Sequence, residues 1–218
     1  MTDVPTQRLP RGRHGLSRDE VETSQRLRML AAMADAMMEK GYVGTSVAEV
    51  IKRAGVSRET FYQQFSSKAD CFRTAFDTAG EVLIGTVTAR AALDPDLLDA
   101  RDGRDRSVRL DQFERVFAAY LDSLASHPAY ARLFLVEVYA AGPEAIAARL
   151  ALQRRIVDFL ATLLGATGDH GRFACEMLVA AISALVTEPL VRHDPGAIRD
   201  LQAPVVDLVR RALVVDAT

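Results

Sequence analysis

Residues 45–72 read TSVAEVIKRAGVSRETFYQQFSSKADCF, and this stretch decides the fold of the chain. Ser46 is a favoured N-cap residue, and the short segment with an apolar face that follows it ends at Gly55. Ser57 comes next as a second cap, at the start of another amphipathic segment. Two short helices joined by a tight glycine turn are typical of a helix-turn-helix, which we assign to residues 46–65.

The second helix of this motif has one apolar face and one polar face. With Phe61 and Phe65 on the buried side, a rotation of about 100° per residue turns the polar residues outward. Arginine and glutamine pair with base edges, threonine meets the thymine methyl group, and hydroxyl or ammonium groups reach phosphates. The candidate DNA contacts are Thr45, Ser46, Arg58, Thr60, Tyr62, Gln63 and Lys68. A helical corner with an ordinary solvated face fits the same pattern, so geometry alone leaves both interpretations open.

Helical periodicity continues through the rest of the chain, without an alternating strand pattern. The predicted helices outside the motif are Ser17 to Gly41, Ser67 to about Ala92, a segment around Phe113 to Leu124, one around Tyr130 to Val138, Glu144 to Leu164, Arg172 to Leu190, and Pro195 to Val215 with a break at Pro204. The sequence therefore predicts an all-α protein of about nine helices.

Three parts follow from this pattern. Residues 1–16, rich in Pro, Gly and Arg, predict a flexible basic arm, residues 17–66 a three-helix DNA-binding domain, and residues 67–218 a larger helical domain. Residues 94–107 are charged and predict an exposed connection. The arm has two interpretations, a minor-groove contact or a solubilising tail, and its cations are Arg8, Arg11 and Arg13.

Composition excludes several classes of protein. The chain has 218 residues, of which 49% are hydrophobic and 26% charged, as in soluble globular proteins, and its net charge of −2 does not by itself indicate a nucleic-acid partner. Cys71 and Cys175 form no CxxC pair and the four histidines lack ligand spacing, so we predict neither a metal nor a cofactor. Motifs such as GxSxG, HExxH and the P-loop are missing from the sequence, so we predict no enzyme. No signal peptide and no run of about 18 continuous apolar residues is present, which predicts a cytoplasmic protein without a membrane partner.

Residues 24–72 resemble the N-terminal DNA-binding module of the TetR family. The resemblance is carried by Gly41, Thr45, Val47, Val50, Ile51, the run Ala54, Gly55, Val56 and Ser57, and then Thr60, Tyr62, Phe65, Lys68 and Phe72. It implies a three-helix DNA-binding domain and a larger domain that binds an effector and dimerises, with repression relieved by a small molecule. At matching positions it implies phosphate contacts by Thr45 or Ser46, Tyr62 and Lys68, and base or groove contacts by Arg58, Thr60 and Gln63. Glu59 stands where the family more often has a small residue, so its role stays unassigned.

The expected partners are therefore a palindromic operator in double-stranded DNA, a small-molecule effector of unknown identity, and a second copy of the chain. The two C-terminal helices are expected to form the dimer, since the first of them has a broad apolar face, although burial inside one subunit would need the same face. This face holds Phe173, Ala174, Met177, Leu178, Ala181, Ile182 and Leu185.

The effector is expected between the helices of the second domain, with Phe117, Tyr120 and Phe134 as candidate walls, although such aromatic stripes usually form plain core. Two alternatives to a repressor remain. One is a helical ligand-binding protein, and the other is an activator or a regulator controlled by a protein partner.

Overall fold

The computed structural model describes residues 17–92, 106–166 and 168–215. Within these ranges the α-helices are α1 (Arg18–Gly44), α2 (Val47–Ala54), α3 (Arg58–Gln64), α4 (Lys68–Arg90), α5 (Arg106–Ser126), α6 (Pro128–Leu135), α7 (Pro143–Leu164), α8 (Gly168–Val191), α9 (Pro195–Asp200) and α10 (Gln202–Val215). A 3₁₀ helix (Glu137–Tyr139) follows α6. The predicted all-α class is confirmed.

Two of the predicted segments lie wholly or mostly outside the described residues. The arm at residues 1–16 lies outside the described residues, and so does the connection up to residue 105. Its last two residues are helical instead, because α5 already begins at Arg106.

Serine side chains start the first four helices as the sequence predicts. Ser17, Ser46, Ser57 and Ser67 each accept a hydrogen bond from the backbone N–H three residues later, which satisfies one of the free donors at a helix start. The Glu20 carboxylate in turn accepts a hydrogen bond from the Ser17 backbone N–H, so the capping box is complete.

The end of α1 is more complex than predicted. Gly41, where the sequence predicts the stop, has φ of 67°, and the chain then makes one further turn to Gly44. The Thr45 hydroxyl donates to the Gly41 carbonyl over 2.8 Å and closes this turn. Only glycine adopts such a φ at little cost, so Gly41 is a bend between α1 and the helix-turn-helix.

The last predicted helix is split in two. α9 ends at Asp200 and α10 begins at Gln202, which puts Pro204 in the first turn of α10. Proline is tolerated there because the first N–H groups of a helix have no partner within it. Counted as one broken helix, α9 and α10 leave the nine predicted helices in the described ranges.

The long helix α1 belongs to both parts of the fold. It packs against α2 of the helix-turn-helix and also against α4 and α6 of the second domain. Met29, Met33 and Met37, one turn apart, are fully buried in a core that continues through Phe61 and Phe72. The helix-turn-helix is therefore seated on a rigid element that reaches the larger domain.

The turn of the helix-turn-helix yields a stability prediction. Gly55 has φ of 64°, where an added Cβ is strained, so Gly55→Ala should lower the free energy of unfolding by about 1–2 kcal/mol. Gly85→Ala is the control, since Gly85 lies inside α4 with open space around it, and this change should instead stabilise by about 0.5–1 kcal/mol. Urea denaturation of both variants measures the difference, and equal effects would contradict the role of Gly55.

Candidate functional site

The α3 helix has one buried face and one exposed face, as predicted. Phe61 is fully buried, and its ring lies 5.5 Å from that of Phe65, just past the helix end. Arg58, Tyr62 and Gln63 are exposed, and Tyr62 has 46% of its surface open to solvent. The Arg58 guanidinium lies 5.4 Å from the Tyr62 ring centroid, so these two side chains support each other on the outer face.

The middle of the same face carries hydrogen bonds between its own side chains. The Thr60 and Ser57 hydroxyls lie 2.9 Å apart, so the Thr60 hydroxyl is engaged in the cap and its methyl group remains for an apolar contact. The Gln63 amide donates to the Glu59 carboxylate over 3.4 Å, a long contact that a better partner can replace. Glu59, whose role the sequence leaves unassigned, is thus the hydrogen-bond acceptor for Gln63.

Thr45 and Ser46 are placed differently. Thr45 is 2% exposed and its hydroxyl is bound to Gly41, so this side chain closes the bend and presents no surface. Ser46 is exposed at the start of α2 and accepts a hydrogen bond from the Glu49 N–H. Of the two alternatives considered for one contact, Ser46 is therefore the accessible one.

Lys68 lies at the start of α4, beneath the bend. Its ammonium donates to the carbonyls of Tyr42 (2.8 Å) and Thr45 (3.0 Å) and lies 4.0 Å from the Tyr42 ring centroid. Partial burial lowers the pKa of Lys68 below its usual value. Since an ammonium has three N–H donors, one is left after these two carbonyls.

Arginines of α1 hold the ends of the two motif helices, a role that sequence reasoning missed. Arg28 donates to the Ala54 carbonyl over 2.9 Å at the end of α2, and Arg26 donates to the Gln64 carbonyl over 3.3 Å at the end of α3. Cations at helix C-termini satisfy free carbonyls and match the helix dipole. No spacing rule within the motif could reveal them, because they come from another helix.

An ion-pair network fastens α2 to α1. Arg53 on α2 pairs with Glu49 on the same helix at 2.9 Å and with Glu39 on α1, and Lys40 also pairs with Glu49 at 3.2 Å. Hydrogen bonds from Arg53 hold the pKa of both carboxyls below the usual value. The network helps to fix the orientation of the motif on its supporting helix.

A buried carboxylate joins the bend to the larger domain. Glu137, 5% exposed, accepts a hydrogen bond from the Tyr42 N–H over 2.7 Å with one oxygen. Its other oxygen accepts from Arg132 on α6 over 2.8 Å. Glu137 therefore links the segment after α6 directly to the residue that follows Gly41.

The second domain contains an inner cavity of about 300 Å³ between α4, α5, α7 and α8. Tyr120 and Phe134, two predicted pocket residues, line it together with apolar residues such as Leu83, Ile156 and Phe159. Phe117 lines neither this cavity nor the second one described below. It is 3% exposed, and its ring stacks between Phe113 and Tyr120, so it forms the layer behind the Tyr120 wall.

A second, outer cavity of about 640 Å³ lies where α1 meets α4, α5 and α6. Leu83, Leu124 and Phe134 line both cavities, so these three side chains form the wall between them. The outer cavity includes Leu27 and Leu30 of α1. A change at the wall can therefore reach the helix that supports the DNA-binding motif.

The α8 helix exposes an apolar stripe. Phe173 and Met177 are 60% and 59% exposed, and Leu185 continues the stripe two turns later, whereas Ile182 faces the core. Among the helices in the described ranges, α8 alone has the length and apolar composition of a membrane span, and 28% of that stretch is buried in the protein. The stretch contains no run of 18 continuous apolar residues, because Glu176 interrupts it.

Residues 29–75 match the sequence model of the bacterial regulatory proteins of the tetR family. This part of the chain carries the DNA-binding domain of the tetR family. The matched residues include all of α2 and α3 and parts of α1 and α4, so the chain carries the helix-turn-helix of a DNA-binding regulator. A comparison with curated proteins gives no match.

Solved structures share the whole fold. The fatty acid degradation regulator FadR of Bacillus halodurans has a TM-score of 0.67 and 18% identity, over 83% of this chain and 95% of that one. A TetR-like regulator of Rhodococcus sp. RHA1 has a TM-score of 0.65 and 19% identity, over 95% and 99%. FadR of Bacillus subtilis, solved in complex with stearoyl-CoA, has a TM-score of 0.65 and 18% identity, over 84% and 96%. At such identities these likenesses show a common fold.

The link through Glu137 predicts a large loss of stability when its charge is removed. Glu137→Gln leaves the Arg132 guanidinium, whose side chain is 14% exposed, without its carboxylate, and should lower the free energy of unfolding by about 3 kcal/mol. Glu81→Gln is the matched control, because the pair of Glu81 and Arg155 is solvent-exposed and its loss should cost less than about 1 kcal/mol. Chemical denaturation of both variants checks this, and a loss no greater for Glu137→Gln than for Glu81→Gln would refute it.

Proposed function

We propose that this chain is a transcriptional repressor that binds a palindromic operator as a homodimer and is released by a small molecule. The observation that carries the proposal is the outer face of α3, where Arg58, Tyr62 and Gln63 are exposed on a helix fixed by a buried core and by arginines of α1. A rigid helix with such a face fits the major groove, and its short exposed length suits contacts from its first two turns.

Within this proposal the side chains have separate roles. Arg58 and Gln63 pair with base edges, and the Thr60 methyl group meets a thymine methyl, since its hydroxyl is engaged with Ser57. The hydroxyls of Tyr62 and Ser46 and the remaining N–H of Lys68 contact phosphates. Thr45, being buried, supports Ser46 from behind and makes no contact of its own.

Selection from random DNA duplexes tests the base-reading assignment. The native protein should enrich an inverted repeat, and Arg58→Ala should lose about 1–3 kcal/mol of preference at particular base pairs. Tyr62→Ala and Lys68→Ala should weaken binding to all sequences alike, because phosphate contacts carry no sequence information.

Two controls accompany these variants. Arg154→Ala, an exposed cation on α7, should leave affinity and preference unchanged. Because Lys68 also holds two carbonyls of the bend, the melting temperature of its variant must be measured alongside. A uniform loss from all three substitutions would exclude base reading by Arg58, and failure of the native protein to enrich any motif would refute the repressor.

The proposed dimer forms through α8 and α10. A stripe that exposes Phe173, Met177 and Leu185 in water is unfavourable, and the exposed Leu208 on α10 extends it. Small residues between them, Ala174, Ala181 and Ala184, permit close approach of a second helix pair, as in a four-helix bundle. A membrane would cover the same stripe, but the opposite face of α8 packs into the core of the second domain through Cys175, Val179 and Val186, which favours a second copy.

A charge on the stripe should break the dimer. Met177→Glu would place a carboxylate at the centre of the proposed interface and should convert the dimer to a monomer and abolish operator binding. Leu150→Glu, at a 48% exposed apolar position on α7, is the control and should remain dimeric. Sedimentation velocity distinguishes the two, and a dimeric Met177→Glu variant would contradict this interface.

Release by a ligand would act through α4. This helix begins directly after α3 at Lys68, and it lines both cavities through Leu83. A ligand that displaces the distal part of α4 would therefore tilt the DNA-binding domains of the dimer. The apolar lining of the inner cavity suits an apolar ligand, and the fold neighbour from Bacillus subtilis was solved with stearoyl-CoA, which carries a long apolar chain.

A further inference from the structure

The inner cavity holds a buried arginine within an apolar stripe. Arg149 lies on the side of α7 that also carries Ala145 and Leu152, and it is 9% exposed. It lines the cavity together with Leu135 and Ile156. A guanidinium loses most of its hydration at such a position, which is unfavourable unless an anion or several acceptors compensate its charge.

The protein supplies little of that compensation. One N–H of Arg149 donates to the Phe134 carbonyl, and the guanidinium lies 5.2 Å from the Tyr139 ring centroid. None of the described residues forms an ion pair with it. The other charged residue in the lining, Arg155, differs because it pairs with Glu81 over 2.7 Å. The described lining of the inner cavity contains no carboxylate, so it carries one uncompensated positive charge.

Tyr120 adds a second polar group near this charge. Both residues line the inner cavity, and burial raises the pKa of Tyr120 to about 12, against the opposing effect of the Arg149 charge. The Tyr120 hydroxyl therefore stays protonated and can donate a hydrogen bond into the cavity. The rest of the wall is mainly aliphatic and aromatic, and its other polar residues are Thr88, Gln153, Arg155 and Ser183.

We propose that the ligand of the inner cavity is a monocarboxylate with an apolar tail, whose carboxylate binds the Arg149 guanidinium and accepts a hydrogen bond from the Tyr120 hydroxyl. A single carboxylate matches the single uncompensated charge, and the planar fork of arginine suits its two oxygens. A cavity of about 300 Å³ lies at the lower end of the range for small-molecule sites, which suits a short tail such as that of octanoate. This inference rests on the proposed function and specifies the ligand class of its cavity.

Calorimetric titration of the full chain with octanoate, octan-1-ol and octylamine tests the ligand class. The three probes share one tail, so their difference isolates the head group. We expect octanoate to bind at least about tenfold more tightly than octan-1-ol, as a hydrogen bond to a charged partner allows, and octylamine to bind most weakly. Equal binding of octanoate and octan-1-ol, or no binding of octanoate, would overturn the proposal.

Substitutions then test the role of Arg149 in binding the carboxylate. Arg149→Met should reduce the preference for octanoate over octan-1-ol to about threefold or less, while still binding the alcohol, which shows that the cavity is intact. Arg149→Lys keeps the charge and should retain a preference for octanoate, so it serves if the Met variant does not fold. Arg155→Met, in the same lining but with a charge already paired, should leave the preference unchanged. An unchanged preference in Arg149→Met, or loss of the preference in Arg155→Met alone, would overturn the role of Arg149.

A separate measurement distinguishes this proposal from the proposed function. Operator affinity is measured with and without saturating octanoate. If octanoate binds through Arg149 but leaves operator affinity unchanged, the repressor mechanism fails and the ligand class stands. If operator affinity responds to octan-1-ol as strongly as to octanoate, the ligand class fails and release by a small molecule stands.

Discussion

The peptide units around Tyr42 are held from two sides, and the position of the DNA-binding motif depends on this arrangement. The Glu137 carboxylate accepts from the Tyr42 N–H, and the Lys68 ammonium donates to the Tyr42 carbonyl. Glu137 belongs to the segment after α6 and Lys68 begins α4, so two elements of the larger domain meet at one residue. The preceding Gly41 has a positive φ, which favours glycine, and a Cβ there would lie 3.3 Å from the Glu137 carboxylate and would have to displace it.

The local parts of the fold were predictable because their causes lie within a few residues. Caps such as Ser46 and Ser57 act on N–H groups three residues away, and the burial of Phe61 follows from helical periodicity. The candidate readers Arg58, Tyr62 and Gln63 are exposed for the same reason. The break between α9 and α10 lies at Leu201, three residues before the predicted break at Pro204. Proline favours the first turn of a helix, so it marks the start of α10.

The rest depends on contacts between distant segments, which a pattern along the chain does not contain. Thr45 had the right residue type for a phosphate contact, but its hydroxyl is used by Gly41. Phe117 lies on an aromatic stripe that forms both a cavity wall and the layer behind it, and spacing alone does not separate these layers. Arg149 and Glu137 did leave a signal, since each is a charged residue among apolar neighbours at a buried helical position, and such residues are rarely buried without a purpose.

These two buried charges meet at one short segment, which connects the cavity to the motif. Arg149 donates to the Phe134 carbonyl, the Phe134 ring forms part of the wall between the two cavities, and Glu137, three residues later, holds the Tyr42 N–H. A force on Arg149 therefore acts on the same turn of chain that holds the bend at Gly41, and both contacts are hydrogen bonds whose strength falls steeply with small displacements. Since packed interiors transmit displacement instead of absorbing it, an anion that draws Arg149 away from the Phe134 carbonyl would shift Glu137 as well. This path ends at the Tyr42 N–H and the path along α4 ends at the Tyr42 carbonyl, so the two paths would act on Tyr42 together.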